Sequence, residues 1–261
     1  SNPKETYASG GSYHSAVIDT DGSLWMWGNN QHGQLGVETK KYQNIPKQVP
    51  TDYKIKFIAC GCYHSASIDI HGSLWLWGRN NHFQVAEQNT PAILTPTKLQ
   101  LAIPFETVSC GYAHTLALDI YGKVWAWGNN EQGQLGVGKN INVQRKPLQI
   151  QTNNTDFFIS FITCGYYHSV AIDPNGSTWS WGNNEHGQLG IGSLTDASEP
   201  TIISTLSNVK MVSCGAYHTI SIDSSGDLWG WGWNSLGQIG VTHGKDELVP
   251  TRVQLNEKVQ S

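Results

Sequence analysis

Charge is scarce in this chain. Only 14% of its 261 residues are Asp, Glu, Lys or Arg, and 16 Lys+Arg against 20 Asp+Glu leave a formal charge of −4. A protein held on nucleic acid through phosphates needs a basic face, so DNA or RNA is not the expected partner. No apolar run approaches the roughly 18 residues that a membrane helix needs, and no signal-peptide pattern opens the chain. The expectation is a soluble protein without a transmembrane segment. Cysteine is sparse too: there are five, an odd number, and four of them recur at one repeated position. That is how a packing residue behaves and not how a disulfide framework does, so a reducing, cytoplasmic compartment fits. Helical periodicity is missing throughout, which points to an all-β chain.

Glycine and tryptophan, by contrast, are plentiful, with 28 Gly and 11 Trp. Their distribution is a repeat, the signal to seek before any single element is assigned. Gly-x-x-His recurs at His14, His64, His114, His168 and His218, each followed five residues later by Asp (Asp19, Asp69, Asp119, Asp173, Asp223) and three further on by Gly. Trp-x-Trp-Gly comes next, at Trp25/Trp27, Trp75/Trp77, Trp125/Trp127, Trp179/Trp181 and Trp229/Trp231. A glycine-rich stretch then leads to a proline: Pro46, Pro96, Pro147, Pro200 or Pro250.

Each unit reads as strands. The residues after His are β-branched and alternate, Asp-x-x-Gly is a tight turn, and the two-residue period puts both Trp on one face. The proline suits a strand at the outer edge of a small sheet. Five such units make one β-propeller domain over residues 1–261, with five four-stranded blades. The last proline strand, about residues 249–255, has no Gly-x-x-His after it. It is expected to join the first blade and close the ring, which removes exposed edges.

The repeated residues invite chemical readings. A catalytic or metal-binding histidine is needed once, whereas one present in every blade does work that every blade needs, as a buried imidazole bonded to backbone. The paired Trp, with Trp27, Trp77, Trp127, Trp181 and Trp231 closing each motif, read as packing between neighbouring blades. Gly-Asn-Asn-x-x-Gly-Gln-Leu-Gly lacks the Lys-Ser/Thr of a phosphate loop, and its Gly and Asn suit the positive φ of tight turns. No catalytic residue, cofactor or metal is expected. What is unique lies where a copy deviates. Copy two carries Arg79, His82, Phe83, Val85 and Ala86 in its loop, and copy five carries Trp233 and Leu236. Arg and aromatic groups anchor interfaces, so Arg79, His82, Phe83, Trp233 and Leu236 are candidate partner contacts. Tyr121, like His71 and Asn175, is a further candidate at a hairpin tip.

The string from Cys110-Gly111-Tyr112-Ala113-His114-Thr115 to Gly133-Gln134-Leu135-Gly136 resembles the repeat of the regulator of chromosome condensation family, and the likeness runs along nearly the whole chain. The resemblance implies a propeller. It also implies protein partners, because the family includes the seven-bladed exchange factor of the small GTPase Ran, parts of ubiquitin ligases, scaffolds and bacterial effectors delivered into host cells. This chain has five copies, no basic tail and no long insertion, its largest excess being four residues near Asn153 to Phe157. The expected function is a non-enzymatic, monomeric protein-binding propeller for a small GTPase of the Ran type or a regulator of its cycle. It would act in the cytoplasm, or in the host cytoplasm if it is an effector. A guanine nucleotide exchange factor and a lectin or small-ligand propeller are the alternatives.

Overall fold

The computed structural model describes residues 7–152 and 157–255, which leaves most of the four-residue excess near Asn153 outside the described residues. Among the described residues there is no helix. Twenty strands form five antiparallel four-stranded sheets, each a meander in chain order. The first holds β1 (Ala8–Gly10), β2 (His14–Ile18), β3 (Leu24–Gly28) and β4 (Gln43–Gln48). The second holds β5 (Ile55–Cys60), β6 (His64–Asp69), β7 (Leu74–Arg79) and β8 (Ala92–Lys98). The third holds β9 (Phe105–Cys110), β10 (His114–Asp119), β11 (Val124–Asn129) and β12 (Val143–Gln149). β13 (Phe161–Cys164), β14 (His168–Ile172), β15 (Thr178–Gly182) and β16 (Ala197–Ile202) make the fourth, and β17 (Val209–Cys214), β18 (His218–Asp223), β19 (Leu228–Gly232) and β20 (Glu247–Arg252) the fifth. The chain forms two compact units. Sheets one to three lie in the first, and sheets four and five, with the loop 130–142, in the second.

The proline strands are the outermost of each sheet, where a missing N–H breaks no central ladder. One expectation fails here. Among the described residues no blade is shared between the chain ends: β1 to β4 follow in sequence, and β20 pairs with β19 of its own sheet, Trp229 opposite Arg252 and Gly232 opposite Glu247. The glycine-rich loop turns each proline strand back onto the Trp strand before it, so the fourth strand of a blade comes from the same copy.

In four of the five hairpins Asp does more than turn the chain; in the fourth, among the described residues, Asp173 takes only the turn N–H groups and Trp179 Nε1 has no acceptor. Asp19 Oδ1 accepts the N–H groups of Asp21 and Ser23, while Oδ2 takes the indole N–H of Trp25 at 2.8 Å. The same indole bond forms from Trp75 to Asp69, Trp125 to Asp119 and Trp229 to Asp223. The second Trp behaves differently. The ladder between Trp strand and proline strand slips between Met26 and Gly28, Leu76 and Gly78, Ala126 and Gly128, Ser180 and Gly182, and Gly230 and Gly232. In each sheet the second Trp thus faces three residues of the proline strand, which carries a β-bulge ending at its proline, and a glycine at positive φ follows the Trp, +107° at Gly28. A Cβ on Gly28 would stand 2.6 Å from the Tyr13 carbonyl oxygen, so no other residue fits.

In four sheets the second Trp reaches the loop of the preceding copy. In the first unit, Trp77 Nε1 donates to the main-chain carbonyl of Gln34 and Trp127 Nε1 to that of Gln84, both at 2.9 Å. In the second, Trp181 uses Gln134 and Trp231 uses Gln188. These four indoles are fully buried and anchor each sheet on the loop it meets, whereas Trp27 is half-buried.

Candidate functional site

Three of the five histidines are held by a hydroxyl of the next copy. His14 Nε2 meets Ser65 Oγ at 2.8 Å, His64 Nε2 meets Thr115 Oγ1 at 2.9 Å, and His168 Nε2 meets Thr219 Oγ1 at 3.0 Å. Each partner hydroxyl gives its one proton to a loop carbonyl, Ser65 to Gln34, Thr115 to Gln84 and Thr219 to Gln188. Nε2 must then be the donor, which leaves Nδ1 bare, buried and without a partner at His14, His64 and His168. The partner is a side-chain hydroxyl of the next copy and not backbone, as the sequence suggested, because a Ser or Thr follows each His and points at the sheet before. Burial holds these imidazoles neutral, pulling His14 to about 4 and His64 and His168 to about 3. His114 is also fully buried, and His218 half-buried. The imidazole also explains the glycine three residues before it: a Cβ on Gly165 would overlap the His168 ring.

None of the five cysteines forms a disulfide, and burial pushes the Cys60 and Cys214 thiols up to about 12, which disfavours the thiolate. No group of His, Cys, Asp or Glu among the described residues is placed to hold a metal. The Trp faces a sugar would stack on are buried at Trp77, Trp127, Trp181 and Trp231.

The loop between Trp-Gly and the proline strand is closed by Asn and Gln side chains. Asn30 Oδ1 accepts from Leu35 N–H and its amide donates to Thr39, while Gln34 Nε2 donates to Asn29 Oδ1 at 2.8 Å. Its glycines take positive φ, +76° at Gly33 and +68° at Gly36, but its asparagines do not, contrary to expectation. Their side chains serve the loop by hydrogen bonding instead.

Copy two breaks this scheme. Phe83 stands where the other copies have glycine and still takes φ +61°, a conformation that costs a bulky residue about 1–2 kcal/mol. The Arg145 guanidinium covers its ring at 4.3 Å. Beside it, an open cavity of about 520 Å³ is lined by Val85, Ala86, Leu99, Leu101, Trp127 and Arg145. Arg79 replaces the asparagine that closes the loop, so Gln84 Nε2 is buried with no acceptor, an omission worth about 1–3 kcal/mol. Local stability is spent on Arg79.

The Arg79 guanidinium lies 5.3 Å from the Tyr63 ring and 5.8 Å from that of Tyr112. Tyr13 stacks on Tyr63 at 5.2 Å, and His32 meets Tyr63 edge-on at 5.1 Å. Burial, then the charges of Arg79 and Lys40, hold His32 below its ordinary range. These tyrosines occupy the Gly-x-x-His turns, at the end of each sheet where the Trp strand runs into its loop. A sequence reading that searched only for deviating loop residues missed them, although a Tyr in each of those turns was there to be seen.

In the second unit the same positions hold another aromatic group. His186 Nδ1 meets Asp246 Oδ2 at 2.8 Å, and its ring lies 5.6 Å from Tyr217 and 5.9 Å from Trp233. Tyr217 and Trp233 meet edge-on at 6.3 Å. Leu236 is 80% exposed on the adjoining loop.

The structure thus brings Arg79 into an aromatic cluster with residues not foreseen, and Trp233 into a second one. His82 turns to the next copy, its Nδ1 3.2 Å from Asn129 Nδ2. Tyr121 is 63% exposed at the β10–β11 hairpin tip, the opposite end of that sheet from Tyr112, and does not join the cluster.

Five sheets of one pattern, four of them docking the second Trp on the loop of the copy before, define the blades of a β-propeller repeat protein. The RCC1-like domain model matches residues 2–261, and the chain belongs to that family. Human WBSCR16 superposes with a TM-score of 0.85 at 24% identity, covering 95% of this chain and 66% of that one. Yeast RCC1 (Prp20) bound to Kap60 gives 0.63 at 19% identity, covering 95% and 74%. In sequence, the probable E3 ubiquitin-protein ligase HERC6 of Homo sapiens is 36% identical over 81 residues, 31% of this chain and 8% of that protein. The ultraviolet-B receptor UVR8 of Arabidopsis thaliana is 36% identical over 75 residues, 29% and 17% respectively. The chain thus aligns with only a small part of these relatives.

Proposed function

We propose that this chain is a non-enzymatic protein-binding module. Its partner would be a small GTPase of the Ran type or a regulator of its cycle, engaged through the ends of the blades that carry the Gly-x-x-His turns. The observation that carries this reading is the Tyr13–Tyr63–Tyr112 cluster with Arg79: aromatic and arginine side chains gathered on rigid strands, the composition of an interface centre. Support comes from the neighbours, since Prp20p of Saccharomyces cerevisiae has been described with its binding to Gsp1p and histones. The setting that follows is the cytoplasm, and host cytoplasm if the protein is a delivered bacterial effector.

Pulldown with Ran in nucleotide-free, GDP-bound and GTP-bound forms tests the partner, and capture of none of the three rejects it. Release of labelled GDP from Ran tests the role: binding without acceleration supports a scaffold, and acceleration makes the chain an exchange factor.

A further inference from the structure

Arg79 is the one arginine of three that the described residues leave without an anionic or close single partner. Arg252 pairs with Asp227 at 2.6 Å and Arg145 covers Phe83, but no carboxylate among the described residues pairs with Arg79, and its buried Nε has no acceptor. Tyr63 and Tyr112 flank its guanidinium and hold it in place, with the half-exposed Tyr13 stacked behind. The surroundings add positive charge, because Lys40 and Arg79 both act on His32. Its position has no structural need of arginine. Copies one, three and four carry Asn29, Asn129 and Asn183 there, and at Asn29 and Asn183 the side-chain oxygen accepts the loop Gln amide that copy two leaves without an acceptor.

We propose that the Arg79–Tyr63–Tyr112 cluster is a docking point for an acidic side chain, Asp or Glu, on an acidic segment of a protein partner. The inference rests on the protein-binding reading and names the partner chemistry of that site. A guanidinium presents parallel N–H donors that match the two oxygens of a carboxylate, and aromatic rings on its flanks exclude water without competing for those donors. A tetrahedral phosphate could meet the same donors, so the test separates the two.

The probe is a fluorescein-labelled decapeptide of alternating Glu and Gly, with a Gln-Gly peptide as control, read by fluorescence polarisation. The whole chain should bind the Glu peptide, more weakly as salt rises, and not the Gln peptide. Arg79→Asn should weaken binding about tenfold or more, and Arg79→Lys should keep only part of it. Arg79→Asn also restores the acceptor for Gln84, so its urea midpoint should equal or exceed that of the unaltered chain. That midpoint distinguishes lost docking from lost folding. Equal affinity of the Asn variant, or no binding of the Glu peptide, overturns the proposal. So does displacement of the peptide by inorganic phosphate at equal concentration, which would mark a phosphate site. Any of these leaves the protein-binding reading standing, because the Ran pulldown tests that independently.

Discussion

Nε2 of His64 donates to Oγ1 of Thr115 at 2.9 Å, and that hydroxyl passes its own proton to the carbonyl of Gln84 at 2.7 Å. Trp127 Nε1 converges on the same carbonyl. Two successive copies of the repeat are thereby tied in one chain of bonds: the His of one, the hydroxyl and Trp of the next, and the loop that closes the first. This explains why the motif keeps its residues at one spacing.

Stability should fall as pH drops from 7 towards 4. An unfolded His binds a proton near pH 6.5, but native His14, His64 and His168 do so only near 4, 3 and 3. Between these values the unfolded state holds more protons, so unfolding free energy declines with falling pH by about 1.4 kcal/mol per unit for each histidine. Carboxylates contribute only at lower pH, since Asp19 is held below its ordinary value, first by the Trp25 indole. Urea midpoints at pH 7, 6 and 5 should step downward; a flat series contradicts the neutral imidazoles.

The two classes of second Trp should respond unequally. Trp77→Phe removes a fully buried indole donor from Gln34 and should cost about 2–3 kcal/mol, against under about 1 kcal/mol for Trp27→Phe at a half-buried position. Chemical denaturation of both variants measures the difference, and equal losses would refute the anchoring role.

Glycine variants separate backbone strain from crowding. Gly136 and Gly138 both have positive φ, but a Cβ on Gly136 would stand 2.9 Å from Trp181 Nε1 while one on Gly138 meets nothing within 4 Å. Gly138→Ala should cost about 1 kcal/mol and Gly136→Ala roughly twice that or more, by thermal melting.

In the second unit, Trp233→Asn installs the residue of the equivalent position, and Leu236→Ser alters a side chain that is 80% exposed. Both should leave stability within about 0.5 kcal/mol. Partner capture by the doubly altered chain should fall about tenfold if this patch is part of the interface. Undiminished capture would confine the interface to other residues.

The blade pattern was legible in sequence because period-two alternation, Asp-x-x-Gly turns and Trp-x-Trp recur five times over. The pairing partner of Pro250 was not. A proline strand is compatible with either neighbour, and only the loop that folds it back onto Trp229 decides. The candidate site was half legible: Arg79 and Trp233 stand out as departures from the repeat, whereas Tyr13, Tyr63 and Tyr112 look like part of it and become a cluster only when successive turns are brought side by side.

By itself, then, the sequence determined the strands, the turns and the number of sheets, since each depends on residues a few positions apart. Tertiary structure decided what is shared across about fifty residues. His64 and Thr115 lie 51 residues apart, as do His14 and Ser65, and Trp77 lies 43 from Gln34. Those contacts set the histidine tautomer, bury the indoles and place Arg79 between two tyrosines, because a proton or a ring is satisfied only where sheets meet.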